Sequence, residues 1–330
     1  MVSIPQAHLI VRFAASASPV LIVGCSSDGQ FLVTSPDECH VDLWESDTVD
    51  LLQTFAAPVA MQSVAFSDDG AFFAASLLDG KILVWRRDGI PLLTLNAGVK
   101  TEILFLPATS LLAFVSSDYC IEIWDLHSLT RRCISASTYQ KKKQTFLFPD
   151  DVCFKMVCSS DGSQIAVYAP TRQGEIPLWQ CRFTPLQVHL SPLHSVQGVK
   201  DVPWNILYRP STHHLLFIDR FKRRILGYDT DTTQRLPPIA YPDALPDTFC
   251  FSPQGDFVAV ADCEGKIAIW DFRRATYVLV FDVFGERKIV DDCPIRGVCW
   301  LPERNVLAIG SETYVQGMGE ACVTLWQLNL

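Results

Sequence analysis

Short apolar runs alternate with polar turn residues along the whole chain, and seven of these runs end in an aromatic side chain: Trp44, Trp85, Trp124, Trp179, Tyr228, Trp270 and Trp326. The intervals between them are 41, 39, 55, 49, 42 and 56 residues, a mean of 47. A second marker is independent of the first: a strand end followed by turn formers, as in Phe66-Ser67-Asp68-Asp69-Gly70 or Phe251-Ser252-Pro253-Gln254-Gly255. It lies 19, 19, 19, 21, 20, 19 and 26 residues ahead of the successive aromatics. Ser, Asp, Pro and Gly suit tight turns because they bond their own backbone, preset φ or tolerate positive φ. A second apolar strand fits between the markers, as at 72–76, 111–115 and 257–261, and a fourth follows each of the first six aromatics after a polar gap. Each repeat therefore predicts four short strands. Strands with apolar residues at consecutive positions are covered on both faces, which suits small sheets stacked face to face. No helical periodicity of useful length interrupts the series.

A strand, an Asp-Gly type turn, a second strand and a third strand closed by Trp or Trp-Asp resembles the WD-repeat (WD40-type) family. Trp124-Asp125 and Trp270-Asp271 carry the dipeptide itself. The resemblance covers nearly the whole chain and implies an all-β fold, a seven-bladed β-propeller of four-stranded antiparallel blades, with 1–330 as one domain. It also implies a structural acid in the turn before each third strand. Six residues ahead of the aromatic stand Glu38, Asp79, Asp118, Glu264 and Glu320, but Gln173 and Lys222 in blades four and five. No Gly-His dipeptide occurs. The polar tetrad of typical blades is thus expected to be incomplete, with hydrophobic packing carrying more of the stability. Too few residues follow Trp326 for an outer strand of the seventh blade, so residues 7–14 are predicted to supply it, leaving no bare sheet edge.

Composition sharpens this picture. Length alone would suggest about two domains, whereas the markers divide all 330 residues into seven similar parts. Apolar residues make up 49% and charged residues only 19%, below the usual ~25%, as expected if most residues lie in strands packed between blades. No uninterrupted apolar run reaches the roughly 18 residues of a membrane span, and the start lacks the pattern of a secretory signal. The chain reads as cytoplasmic or nuclear. Twelve cysteines without CxxC spacing read as free thiols used as small hydrophobes. Cys25 and Cys158 fill a marker slot held elsewhere by Phe, Tyr or Trp, so they read as core replacements.

In an antiparallel blade the first-to-second and third-to-fourth turns share one end, and the second-to-third turn and the inter-blade connection share the other, called the top in this family. Excess length falls at the top, in candidate insertions at 137–151, 191–203, 282–294 and 311–321, and such insertions mark binding faces in repeat proteins. The net charge of −9 argues against a protein that coats DNA. It hides a basic sector around blades four and five: Lys141, Lys142, Lys143, Arg172, Lys200, Arg220, Lys222, Arg223 and Arg224, nine cations against five nearby acids. This sector suits an acidic or phosphorylated segment of a protein partner and is the one place where nucleic acid could bind. Tyr139, Phe146, Phe148, Tyr314 and Met318 are candidate hot spots on the top face.

Catalytic signatures are missing: no GxSxG, Walker loop, HExxH or paired Cys spacing occurs, so no catalytic residue, metal or cofactor is assigned. His213-His214 falls in a first-to-second turn and reads as surface. The resemblance therefore implies a non-catalytic scaffold or adaptor binding one or more proteins in a multi-subunit complex. The alternative is a propeller recruited to phosphoinositides, whose Phe/Leu-Arg-Arg-Gly motif is approached, without its glycine, by Phe221-Lys222-Arg223-Arg224 and Phe272-Arg273-Arg274.

Overall fold

The computed structural model describes residues 5–16, 23–26, 28–35, 37–137, 153–169, 174–184, 187–197, 199, 205–219, 222–241, 244–284, 295–302, 304–315 and 318–330. Among them every regular element is a β-strand, and the strands form seven antiparallel blades of the propeller type. Strand β1 (Gln6–Ser16) comes first in the chain but belongs to the last blade. Blade one is β2 (Val23–Cys25), β3 (Phe31–Thr34), β4 (His40–Glu45) and β5 (Leu51–Ala56); blade two is β6 (Met61–Phe66), β7 (Phe72–Leu77), β8 (Lys81–Arg86) and β9 (Pro91–Asn96). After the short β10 (Lys100–Thr101), blade three is β11 (Leu104–Phe105), β12 (Leu111–Val115), β13 (Cys120–Asp125) and β14 (Thr130–Ser137). Blade four is β15 (Cys153–Cys158), β16 (Gln164–Tyr168), β17 (Ile176–Phe183) and β18 (Val188–Val196). Blade five is β19 (Ile206–Tyr208), β20 (His214–Asp219), β21 (Arg224–Asp229) and β22 (Ile239–Ala240); blade six is β23 (Pro246–Phe251), β24 (Phe257–Asp262), β25 (Lys266–Asp271) and β26 (Thr276–Asp282). Blade seven is β27 (Ile295–Leu301), β28 (Val306–Val315), β29 (Met318–Asn329) and, as its outer strand, β1.

The predicted closure is present. β1 runs antiparallel to β29 from Gln6 opposite Asn329 to Ser16 opposite Ala321, with Leu9 opposite Trp326. All seven repeat aromatics lie on the third strand of their blades, as their spacing required.

Three features differ from the sequence expectation. β10 adds a fifth strand to the fourth sheet, pairing parallel with β15 through Lys100 opposite Cys153; a two-residue strand leaves no periodic signal. Half of the expected insertion at 191–203 is strand, because β18 runs to Val196 and pairs with Ile176. The expected loop at 311–321 is instead a hairpin extension, whose ladder continues to Val315 opposite Met318. Thr313, Tyr314 and Val315 favour extended backbone, so the strands lengthen past the blade.

By contact density the chain divides into two compact units, residues 1–56, 217–226 and 237–330, and residues 57–216 and 227–236. In the second unit, Phe72, Ala74, Ile82 and Val84 of blade two share one apolar cluster with Leu112 and Phe114 of blade three. Val115, Ile121 and Ile123 share another with Phe154, Ile165, Val167 and Trp179 of blade four. In the first unit, Ile267 and Ile269 pack with Trp300, Leu307 and Ile309, and Leu32 with Leu301, Ala308 and Leu325. The core thus lies between neighbouring blades. That is why β7 and β16 are buried at every position, while the outer strand β5 exposes Leu51 and Leu52.

Candidate functional site

One repeated device fixes the bottom ends of the blades. In the first-to-second turns, Ser26, Ser67 and Ser159 donate their hydroxyls to the carboxylates of Asp28, Asp69 and Asp161 at 2.5, 2.5 and 2.6 Å. The same hydroxyls accept from the backbone N–H of Phe31, Phe72 and Gln164 at 3.0, 3.0 and 2.9 Å, and Ser252 accepts from Phe257 N–H in the same way. Blades three and five lack Asp-Gly and instead place Pro107 and Pro210 ahead of Ala108 and Ser211, which adopt φ of 56° and 58°. Pro followed by a left-handed residue is the geometry of a type II turn. Each of these turns is held by the preceding blade: Asp68 accepts from Ala108 N–H at 2.5 Å and the Ser160 hydroxyl from Ser211 N–H at 2.9 Å.

The Asp of the WD dipeptide closes the third-to-fourth turn. Asp125 accepts from His127 and Ser128 N–H, Asp229 from Asp231 and Thr232, and Asp271 from Arg273 and Arg274. The left-handed position of the third-to-fourth turns is held by Val49, Gly89, Leu129, Thr233 and Ala275.

At the top ends, in blades one, five and six an acid that orders the second-to-third turn stands elsewhere than six residues before the aromatic. In blade one Asp37 accepts from Cys39 and His40 N–H at 2.7 and 2.8 Å. In blade six Asp262, at the end of β24, accepts from Glu264 and Lys266 N–H and from the Tyr241 hydroxyl. Blade five, where the sequence position holds Lys222, has a buried acid after all: Asp219, at the end of β20, is 2% exposed and accepts from Lys222 N–H and from Arg224 Nε at 3.0 Å. Asp79 acts from the expected place, accepting from Lys81 N–H.

Of the basic sector, Lys222, Arg223 and Arg224 are described; Lys141, Lys142, Lys143, Arg172, Lys200 and Arg220, with Tyr139, Phe146 and Phe148, lie outside the described residues. The Arg224 guanidinium is committed to Asp219, and the Lys222 ammonium stands 3.6 Å from the same carboxylate. Arg223 is exposed and occupies the left-handed turn position, φ 49°, that Gly80 and Gly265 hold in blades two and six. Tyr314 and Met318 belong to the β28–β29 hairpin extension. The second arginine pair is engaged within its own blade, Arg273 with Asp256 at 2.9 Å and Arg274 with Asp271 at 3.5 Å.

The sequence missed a third group. The His213 ring lies between two carboxylates, its Nδ1 2.8 Å from Asp231 and its Nε2 3.1 Å from Asp161 of blade four. Beneath them Gln164, buried in β16, donates to Asp231 at 2.8 Å and accepts from the Tyr208 and Thr230 hydroxyls. An open cavity of about 370 Å³ is lined by Ser160, Asp161, Ser211, Thr212, His213 and Asp231. His213 is indeed in a turn, but two acids 70 positions apart in the chain converge on it, which no local pattern encodes.

The indole N–H partners differ from blade to blade. Trp44 Nε1 donates to Thr34 at 2.9 Å, whereas Trp124 uses Glu122 and Trp326 uses Thr324 on its own strand. The buried Trp179 Nε1 has no hydrogen-bond partner. Burial raises the thiol pKa of Cys158 well above its ordinary value and pushes that of Cys181 up to about 12. Both are therefore neutral and unreactive near pH 7. Among the described residues no group of three His, Cys, Asp or Glu could hold a metal ion, and no helix is long and apolar enough to cross a membrane.

Residues 50–86 and 247–271 match the family described as WD domain, G-beta repeat. The chain is similar to Periodic tryptophan protein 2 of Arabidopsis thaliana, 22% identical over 79% of this chain and 25% of that protein. It is also similar to Transcription initiation factor TFIID subunit 5 of Caenorhabditis elegans, 27% identical over 37% of this chain and 19% of that protein. A third relative is U3 snoRNP-associated protein-like EMB2271 of Arabidopsis thaliana, 24% identical over 45% of this chain and 31% of that protein. The chain spans between about a fifth and a third of the length of these relatives.

Proposed function

We propose that this chain of WD repeats, folded as propeller blades, is a non-catalytic scaffold or adaptor of a multi-subunit nuclear complex, binding protein partners through the top ends of its blades. The asymmetry between the two ends supports this most. The bottom turns are short and tied by hydrogen bonds to their own strands, and those of blades three and five also to the preceding blade. By sequence, the excess chain length falls in the connections assigned to the other end, and loops that vary in length on a rigid support are where binding residues concentrate. The names of the relatives, a subunit of a transcription initiation factor and a snoRNP-associated protein, support assembly into a nuclear complex.

Within that end, the basic sector is the proposed contact for an acidic or phosphorylated segment. Arg223 and the lysines 141–143 are its contributors to recognition, while Arg224 serves to hold Asp219. Lipid recognition is disfavoured at Arg273 and Arg274, each of which is paired with an acid of its own blade. The test is affinity purification of the wild-type chain beside a variant carrying Lys141→Glu, Lys142→Glu, Lys143→Glu and Arg223→Glu, with equal thermal melts confirming both are folded. Loss of part of the co-purifying set is expected; an unchanged set rejects the basic sector as a binding surface.

A further inference from the structure

We propose that His213 is a pH-operated clamp between blades four and five, holding Asp161 of one and Asp231 of the other only while its imidazole carries both protons. The two carboxylates flanking the ring favour its charged form. A neutral imidazole has one donor and one acceptor nitrogen, so it would turn a lone pair toward one of the two carboxylates. Only imidazolium donates to Asp231 from Nδ1 at 2.8 Å and to Asp161 from Nε2 at 3.1 Å. Gln164 Nε2 stands 3.3 Å from Nδ1, but as a donor it cannot serve a protonated nitrogen and instead points its hydrogen to Asp231. The Ser163 hydroxyl, 3.2 Å from Nε2, donates to Asp161.

The ring nitrogens of His213 form ion pairs with Asp161 and Asp231. Among the described residues the neighbouring ionisable groups are His214, itself held below its ordinary pKa by burial and then by Arg209, Asp229, which accepts from the backbone of its own turn, and the Tyr208 hydroxyl and Cys158 thiol, both pushed up and kept neutral by burial. The cavity lining contains no Lys or Arg. Partial burial works against the charged ring, but the hydrogen bonds and charges of Asp231 and Asp161 outweigh it and raise the His213 pKa above its ordinary 6.5. Asp161 is held below 3.8; burial opposes this, and the hydrogen bonds from Ser159, Ser163 and His213 overcome it.

The signs follow from linkage. A raised histidine pKa gives stabilisation that is complete below the ordinary value and is lost as pH rises through the folded-state value. A depressed Asp161 gives stabilisation present above about 3.8 and lost as pH falls. The clamp is therefore fullest between about pH 4.5 and 6.5 and opens on the alkaline side, leaving two carboxylates facing the cavity without a counter-cation.

Proton–carbon NMR of the seven histidine rings, with His213 assigned by loss of its signal in His213→Gln, tests this. The expected result is a His213 midpoint above 6.5 that falls in both Asp231→Asn and Asp161→Asn, and a wild-type advantage over His213→Gln in urea midpoint that shrinks from pH 5.5 to pH 8.5. If His213→Gln does not fold, the exposed Asp231→Asn identifies the ring by the midpoint it displaces. A midpoint at or below the ordinary value, or one that neither Asn variant moves, overturns the proposal.

Discussion

The most discriminating structural perturbation is a methyl group at Gly80, compared with the same methyl at Gly70. Both glycines belong to blade two and both have left-handed backbone, φ +82° and +62°. An L side chain in that region costs about 1–2 kcal/mol, partly offset by the ~0.4–1 kcal/mol that alanine removes from the entropy of the unfolded chain. At Gly70 an added Cβ meets only the end of Arg87, 3.9 Å away, so Gly70→Ala should cost about 0.5–1 kcal/mol. At Gly80 it would stand 2.9 Å from Val99 N and 3.0 Å from Gly98 C. These are backbone atoms whose strand exit is itself held to the Gly80 carbonyl by Ala97 and Gly98 N–H at 2.9 and 3.2 Å. That segment cannot swing aside as an arginine tip can, and overpacking of this kind adds about 1–3 kcal/mol. Urea unfolding at constant m should therefore place Gly80→Ala about 2–3 kcal/mol below wild type and well below Gly70→Ala. If the two variants lie within about 0.5 kcal/mol of each other, well inside the predicted gap, the account of the second-to-third turn is wrong.

Deleting residues 1–14 removes most of the outer strand of blade seven and should abolish cooperative urea unfolding; wild-type-like unfolding of the truncated chain would contradict the closure by β1. Ser67→Ala should cost about 1–2 kcal/mol, because it deletes the buried hydroxyl that joins Asp69 to Phe72 N–H and leaves that amide unsatisfied; a melt unchanged from wild type would show that water replaces it. Trp44→Phe should destabilise more than Trp179→Phe by about 1 kcal/mol, since the first loses a hydrogen bond to Thr34 and the second removes an unpartnered buried N–H. Equal urea midpoints for the two would refute that difference.

The periodic features of the chain were legible because they are local. The aromatics Trp44 to Trp326 end third strands whose covered faces need consecutive apolar residues, and Asp-Gly turns announce themselves by residue type. Position in the left-handed region was legible only where glycine marks it. Tyr119 and Arg223 take the place that Gly80 and Gly265 hold in other blades, and nothing in their side chains signals it. The structural acids were misplaced for a similar reason: Asp219 and Asp262 act from the end of the second strand, and Asp37 stands one residue before Glu38, so a fixed count back from the aromatic passes them by. His213 could not be read at all, because its meaning depends on Asp161 and Asp231, which reach it only after blades four and five stack.

The central claim is that partners engage the top ends of the blades. Crosslinking mass spectrometry of the chain purified with its native complex tests it most directly. Partner crosslinks should concentrate on Lys141, Lys142, Lys143, Lys200 and Lys222, with few on the bottom ends of the blades. Crosslinks concentrated near the bottom turns about Ser67, Ser159 and Ser252, with the basic sector unmodified by any partner, would contradict it.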